Sequence, residues 1–238
     1  MSKRTTSTGP SGPVFYTSLA AALIGFGVFF DHADLVGALP DPAMAALHSD
    51  LSREHASPEV RHVARWIVNS QDHAGLPFLV VDKAKARLFA FDATGRLLAS
   101  APLLLGASHA DGPAAEAATP AGRFVAATWL PVKGDSMVWI NADAALSLHG
   151  MPSGVTPGRG AQRLASKEVE DKRISDGSLH VAGPFYREYL APLKGQASIA
   201  YVLPEVLPVR EVFNSDGNGP SFGFAQSHRS PSAARKPS

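Results

Sequence analysis

The sequence predicts a mainly β domain with a few peripheral α-helices. Three observations carry this. First, Phe78-Leu79-Val80-Val81 is an apolar run of strand length, and Arg87-Leu88-Phe89-Ala90-Phe91 follows it with alternating character after the turn Lys83-Ala84-Lys85-Ala86. Second, short apolar runs recur down the chain between clusters of Gly, Pro, Asp and Asn, which is the signature of a β-meander. Third, helical spacing is confined to segments at the margins of these runs.

Bulk properties narrow the function classes. The chain has 238 residues, enough for one ordinary domain plus terminal segments. With 45% apolar and 18% charged residues it can build a packed core, and wholesale disorder is excluded. A net charge of +1, with no basic stripe interleaved with aromatics, gives no case for nucleic acid as a partner. The absence of cysteine excludes disulfides, thiolate metal sites, a cysteine-borne lipid anchor and a cysteine nucleophile.

Taken in order, residues 1–13 are polar with Lys3 and Arg4, and Val14 to Phe30 is an uncharged run of 17 residues. That length is at the lower edge of the roughly 17–25 residues that span a bilayer. Positive charge before the run and Asp31 and Asp34 after it predict an N-in, C-out orientation. The segment 1–38 is therefore either a cleaved signal peptide, with Val36-Gly37-Ala38 as its cleavage site, or an uncleaved inner-membrane anchor. Both place the remainder outside the cytoplasm, as a periplasmic, secreted or membrane-anchored protein. Residues 39–56 read as linker with a short helix, 57–213 as the domain, and 214–238, rich in Ser, Gly, Pro and Arg, as a disordered tail.

Within the domain, Ser57-Pro58-Glu59 is a helix start: an N-cap hydroxyl, a proline in the first turn, an acid at the positive end of the dipole. Val60, Val63, Ala64 and Ile67 then give an amphipathic helix over 58–70. The two strands at 78–91 are followed by the turn Asp92-Ala93-Thr94-Gly95, by Leu97-Leu98 and by Pro102-Leu103-Leu104-Leu105. A Gly/Ala/Asp-rich loop covers 106–118. The turn Thr119-Pro120-Ala121-Gly122 leads into Arg123-Phe124-Val125-Ala126. Met137 to Ile140 and Ala145 to Leu148 are further strands, ending at His149-Gly150. A helical piece lies around Gln162 to Val169, another over Pro184 to Leu193, and a last strand over Ile199 to Pro204.

Three motifs follow one another in a fixed order: Thr119-Pro120-Ala121-Gly122-Arg123-Phe124, which reads as a hairpin-shaping turn with no chemical role, then Ser147-Leu148-His149-Gly150, and Arg173-Ile174-Ser175-Asp176-Gly177-Ser178-Leu179-His180-Val181. In this order the chain resembles the YkuD-type L,D-transpeptidases, which cross-link peptidoglycan, over roughly residues 58–205. The resemblance implies a sandwich-like catalytic domain. In that family a cysteine thiolate attacks the donor stem peptide, a histidine on the neighbouring strand polarises it, and backbone N–H groups of the loop hold the oxyanion. On this chain His149 matches the histidine, Gly177 the loop glycine, and Ser178 stands at the nucleophile. Asp176 replaces a His or Tyr, and His180 replaces an Asn or Arg. The peptidoglycan stem peptide is the implied partner, with Asp176, His180 and Arg163 as candidate contacts and no cofactor.

The departures have a physical meaning. A thiol of pKa ~8.5 ionises readily beside histidine. A serine hydroxyl needs a general base in the transition state. His149 is the candidate base, and a catalytically live site predicts Ser178 Oγ within hydrogen-bond reach of it. Asp176 either orients a histidine or opposes a developing oxyanion. Three outcomes follow, of which two are a stem-peptide binder with impaired or lost catalysis and an active serine-dependent acyltransferase or hydrolase. A non-catalytic cell-envelope interaction protein is the third. There is no Ser-x-x-Lys, Lys-Thr-Gly, Gly-x-Ser-x-Gly or His-Glu-x-x-His motif. The remaining histidines lack ligand spacing, so no metal is expected. Arg159, Arg163 and Lys172 are candidates for a basic rim.

Overall fold

The paired runs at 78–91 become the middle of a ten-stranded mixed sheet. A computed structural model describes residues 41–126, 128–132, 135–141, 146–151, 159–193 and 195–215. The expected anchor within 1–38 and nearly all of the expected tail lie outside these residues. Among the described residues no helix is long and apolar enough to cross a membrane.

The strands are β1 (Phe78–Asp82), β2 (Arg87–Phe91), β3 (Leu97–Gly106), β4 (Gly122–Ala126), β5 (Thr128–Val132), β6 (Asp135–Asn141), β7 (Leu146–Gly150), β8 (Arg173–Ser175), β9 (Leu179–Val181) and β10 (Ser198–Val202). They run in the order β4-β10-β1-β2-β3-β9-β7-β6-β5, with β8 also paired to β3. Three pairs are parallel, β1 with β10, β3 with β8 and β7 with β9, and the others are antiparallel. The sheet curves into a half-barrel with several helices.

The sheet has two cores, one on each face. Side chains alternate along a strand, so one strand feeds both faces. Phe78, Val80, Phe89, Phe91, Ile199 and Tyr201 face α1 (Pro42–Arg53), α2 (Pro58–Ser70) and α5 (Val209–Phe213). Leu79, Val81, Leu88, Ala90, Ala200 and Val202 face inward, against Leu146 and Leu148 of β7, Leu179 and Val181 of β9, and Tyr186. This explains why 78–81 is apolar without alternation: both faces of β1 are buried. On the helical side Phe78 stacks on Phe91 with ring centroids 4.5 Å apart, and Tyr201 meets Phe78 edge-on at 6.0 Å. The Tyr201 hydroxyl donates to Asp72 Oδ2 at 2.6 Å and Arg123 Nε donates to the same oxygen at 2.7 Å, tying the end of α2 to β4 and β10. Burial and the Asp72 carboxylate push the Tyr201 hydroxyl far upward.

The start of α2 follows its sequence. Ser57 Oγ accepts the Val60 N–H at 3.2 Å, Pro58 opens the first turn, and the helix stops at Gln71 in the left-handed region, φ 55°. Elsewhere the structure departs from expectation. The short helix expected within 39–56 is α1, and it buries Leu47 and Leu51 in the first core, so residues 41–56 pack as part of the domain rather than as linker. Leu97-Leu98 and Pro102 to Leu105 belong to one strand, β3. Pro102 stands opposite Arg87 in the last pair of the β2 ladder, a place that tolerates the missing N–H. Strand β5 was not expected; it contains Pro131, which the outermost position in the sheet accommodates. The helix expected around 162–169 is α3 (Arg159–Ala165), followed by a tight turn at Glu170–Lys172. Over 183–193 the chain forms α4 (Gly183–Phe185), a wide turn Tyr186–Leu190 and a tight turn Ala191–Leu193.

Candidate functional site

Parallel pairing of β7 with β9 sets Leu148 opposite Leu179, His149 opposite His180 and Gly150 opposite Val181. Leu148 and Leu179 are fully buried in the second core, so the period of two turns both histidines to the other face. There the two imidazoles stack, with centroids 4.9 Å apart and planes 17° from parallel. His149 Nε2 lies 2.9 Å from Ser147 Oγ.

The loop Asp176-Gly177-Ser178 joins β8 to β9, and both of those strands pair with β3. Gly177 has φ +120°, and a Cβ there would come within 2.6 Å of the Ala118 carbonyl oxygen, so both backbone conformation and space demand glycine. Thr119 Oγ1 donates to the Gly177 carbonyl at 2.9 Å and accepts the Gly106 N–H at 2.9 Å, which fastens the loop to the end of β3. Ser175 Oγ donates to the Ser178 carbonyl at 2.6 Å and accepts the Gly177 N–H at 3.2 Å.

Ser178 is the point of convergence. Its Oγ donates to Asp176 Oδ1 at 2.7 Å and lies 3.1 Å from His180 Nε2; its N–H donates to Asp176 Oδ1 at 3.3 Å. The hydroxyl and N–H of Ser178 hold the Asp176 carboxyl below its ordinary value, so it is ionised at neutral pH. A hydroxyl has one proton. With that proton on the carboxylate side, the remaining contact has His180 Nε2–H donating to Oγ. The chain of contacts is thus carboxylate, hydroxyl, imidazole. A hydrolytic triad has the imidazole in the middle, taking the hydroxyl proton while the carboxylate orients it.

The other sequence-predicted residues are distributed as follows. Arg163 NH1, on α3, donates to the Asp171 carbonyl at 2.8 Å. Lys172 is buried, its Nζ donating to the Ser166 carbonyl at 2.6 Å, so it forms no solvent-facing rim. A live site calls for His149 within reach of Ser178; the imidazole 3.1 Å from Ser178 Oγ is His180, and His149 stacks on that ring. It also missed the positioning roles of Thr119, Ser175 and Ser147. Behind the loop, Arg173 at the start of β8 pairs with Glu205, and Lys83 Nζ pairs with Asp111 Oδ1 at 2.6 Å, all four buried. Asp111 also accepts the N–H groups of Glu205, Val206 and Leu207 at 3.0, 2.9 and 2.8 Å. Burial alone would raise its carboxyl, but Lys83 and these three donors hold it below its ordinary value.

No protein-family model matches the chain, and no curated protein matches it. Among solved structures it is similar to Bd1075 of Bdellovibrio bacteriovorus, at 17% identity and a TM-score of 0.36, over 55% of this chain and 48% of that one. It is also similar to a fused Zn-dependent amidase/peptidase/peptidoglycan-binding domain-containing protein from Clostridium acetobutylicum, at 14% identity and a TM-score of 0.37, over 69% of this chain and 63% of that one. The chain thus spans about half to just under two thirds of these neighbours' lengths.

Proposed function

We propose that this chain is an exported, divergent member of the YkuD-type L,D-transpeptidases, which binds peptidoglycan stem peptides and has impaired or lost acyl transfer. The observation that carries the reading is the convergence of two separate motifs: the β7 histidine His149 stacks on His180, which touches Ser178 in the loop. The half-barrel is then this family's sandwich-like catalytic domain, and residues 1–38 are the export signal or inner-membrane anchor. Impairment follows from chemistry. A serine hydroxyl needs a base to take its proton, and here the hydroxyl directs that proton at the Asp176 carboxylate rather than at an imidazole. One observation favours an active serine acyltransferase or hydrolase instead: His180 Nε2 is close enough to Oγ to become the base if the hydroxyl turns toward it.

The test is incubation of the purified chain with a stem-tetrapeptide donor, read by co-sedimentation with peptidoglycan and by intact-mass spectrometry. We expect binding with no adduct, and no covalent labelling by a carbapenem. An adduct on Ser178, with turnover abolished by Ser178→Ala, establishes the serine enzyme. Failure to bind overturns the stem-peptide reading and favours an interaction protein that keeps only the fold.

A further inference from the structure

We infer that Asp176, and not the serine at 178 alone, silences this loop: its carboxylate opposes negative charge at the 178 side chain and occupies the N–H beside it. The inference deepens the proposed function and rests on it only for the kind of chemistry being silenced.

Acyl transfer from position 178 develops negative charge twice. The first is on the nucleophile as it loses its proton, and the second is on the carbonyl oxygen as the tetrahedral intermediate forms. Asp176 acts against both. Its Oδ1 is 2.7 Å from the nucleophile position, so ionisation there would set two anions side by side. The same oxygen accepts the Ser178 N–H at 3.3 Å, so the amide nearest the reacting atom already faces an anion. The loop fixes the carboxylate in this place. The left-handed Gly177 turns the chain back, Thr119 holds the Gly177 carbonyl, and Ser175 binds both the Gly177 N–H and the Ser178 carbonyl. Among the described residues the other titratable groups at Ser178 are His180, at 3.1 Å, and His149, stacked on it. Burial and the His149 ring hold His180 below its ordinary value, so it supplies no standing cation near neutral pH to offset the carboxylate.

The parent chain has no cysteine, so Ser178→Cys creates a unique thiol. The experiment compares S178C, S178C/D176N and S178C/D176A in the full chain by the rate of alkylation with iodoacetamide as a function of pH. In this reaction a carbon–sulfur bond forms, iodide leaves, and the thiol proton passes to buffer. The expected result is a thiol pKa at or above ~8.5 in S178C. Removing the charge should lower it by about one unit, or roughly tenfold faster labelling at pH 7 in low salt. High salt should narrow the gap, since Asp176 is exposed. Asn keeps an acceptor for the 178 N–H and Ala does not, so faster labelling in the Ala variant reads the occupied amide. Equal rates in Asn and Ala, both above S178C, attribute the whole effect to charge and uphold the inference in that form. Equal rates in all three overturn it. A second readout needs no cysteine: in the parent chain Asp176→Asn should lower the His180 NMR titration midpoint, because the carboxylate that favours the imidazolium is gone, and an unchanged midpoint overturns the inference. Neither readout involves peptidoglycan. Loss of stem-peptide binding would therefore sink the proposed function while leaving this result intact, and the reverse.

Discussion

Burial and the neighbouring His149 ring hold the His180 imidazole below its ordinary value of 6.5, while Asp176 pulls the other way. The sign of the linkage is set by which state takes the proton first. As pH falls, the unfolded chain protonates this histidine before the folded one does. The stability that neutral His180 confers is complete above about pH 6.5 and is lost as pH falls through the folded value. Urea unfolding between pH 7.5 and 5 should show this decline, and His180→Gln should flatten it. Asp176, also held low, contributes in a separate and more acid window, below its unfolded value of 3.8. The sequence made Ser178, Asp176 and His180 candidates through their place in one motif. It did not reveal which imidazole touches Ser178. A signal was available, since residues two apart on a strand share a face and 178 and 180 are such a pair. Asp176 reaches the same hydroxyl only because Gly177 turns the chain back, and no pattern in the residue types announces that.

At the scale of elements, the turn Thr119 to Gly122 makes no hairpin, since β4 pairs with β10 while β3 pairs with β2, β8 and β9; Thr119 serves instead as a clamp. Its hydroxyl joins the end of β3 to Gly177, 58 residues further on, and such a contact cannot be read from local sequence. Thr119→Val keeps the shape and removes both hydrogen bonds, leaving buried polar groups unpaired. The expected loss is about 1–3 kcal/mol, with faster amide exchange at Gly106. Thr119→Ser should retain most of both. If Val and Ser behave alike, the hydroxyl is not the clamp. Strands 78–91 and helix 58–70 were legible because period and cap agree there. Strand 128–132 was not, because its proline speaks against a strand unless its outer position is known. The α1 segment is short and weakly patterned, and only its packing of Leu47 and Leu51 shows that it belongs to the core.

For the molecule as a whole, the least legible feature is the buried group of charges behind the site. Lys83 sits in what reads as an ordinary surface turn between two strands. In the fold its ammonium is enclosed and donates to Asp111 and to the carbonyls of Ala110 and Thr119. Breaking a buried ion pair by removing one partner leaves the other charge stranded. Lys83→Met should therefore cost about 3–5 kcal/mol in urea unfolding, where a surface lysine would cost a few tenths. A loss within that smaller range would mean the group is open to water. Several strands were legible because strand periods and turns are local properties, whereas the strand order, with cores on both faces of the sheet, arises from pairings far apart in sequence.

Both flanks of the 176–178 loop rest on β3, β8 against Leu105 and Gly106 and β9 against Leu103 and Leu104. Such ladders are made by backbone groups, which every residue except proline supplies alike. The anchoring is therefore indifferent to what Asp176 and Ser178 are, and only Gly177 between them is bound by its backbone conformation. A chain built this way can change the side chains at 176 and 178 by single substitutions without first solving the folding problem again. The architecture keeps a vacant post open for chemistry, and natural variation among relatives should concentrate at the two positions flanking an unchanging glycine.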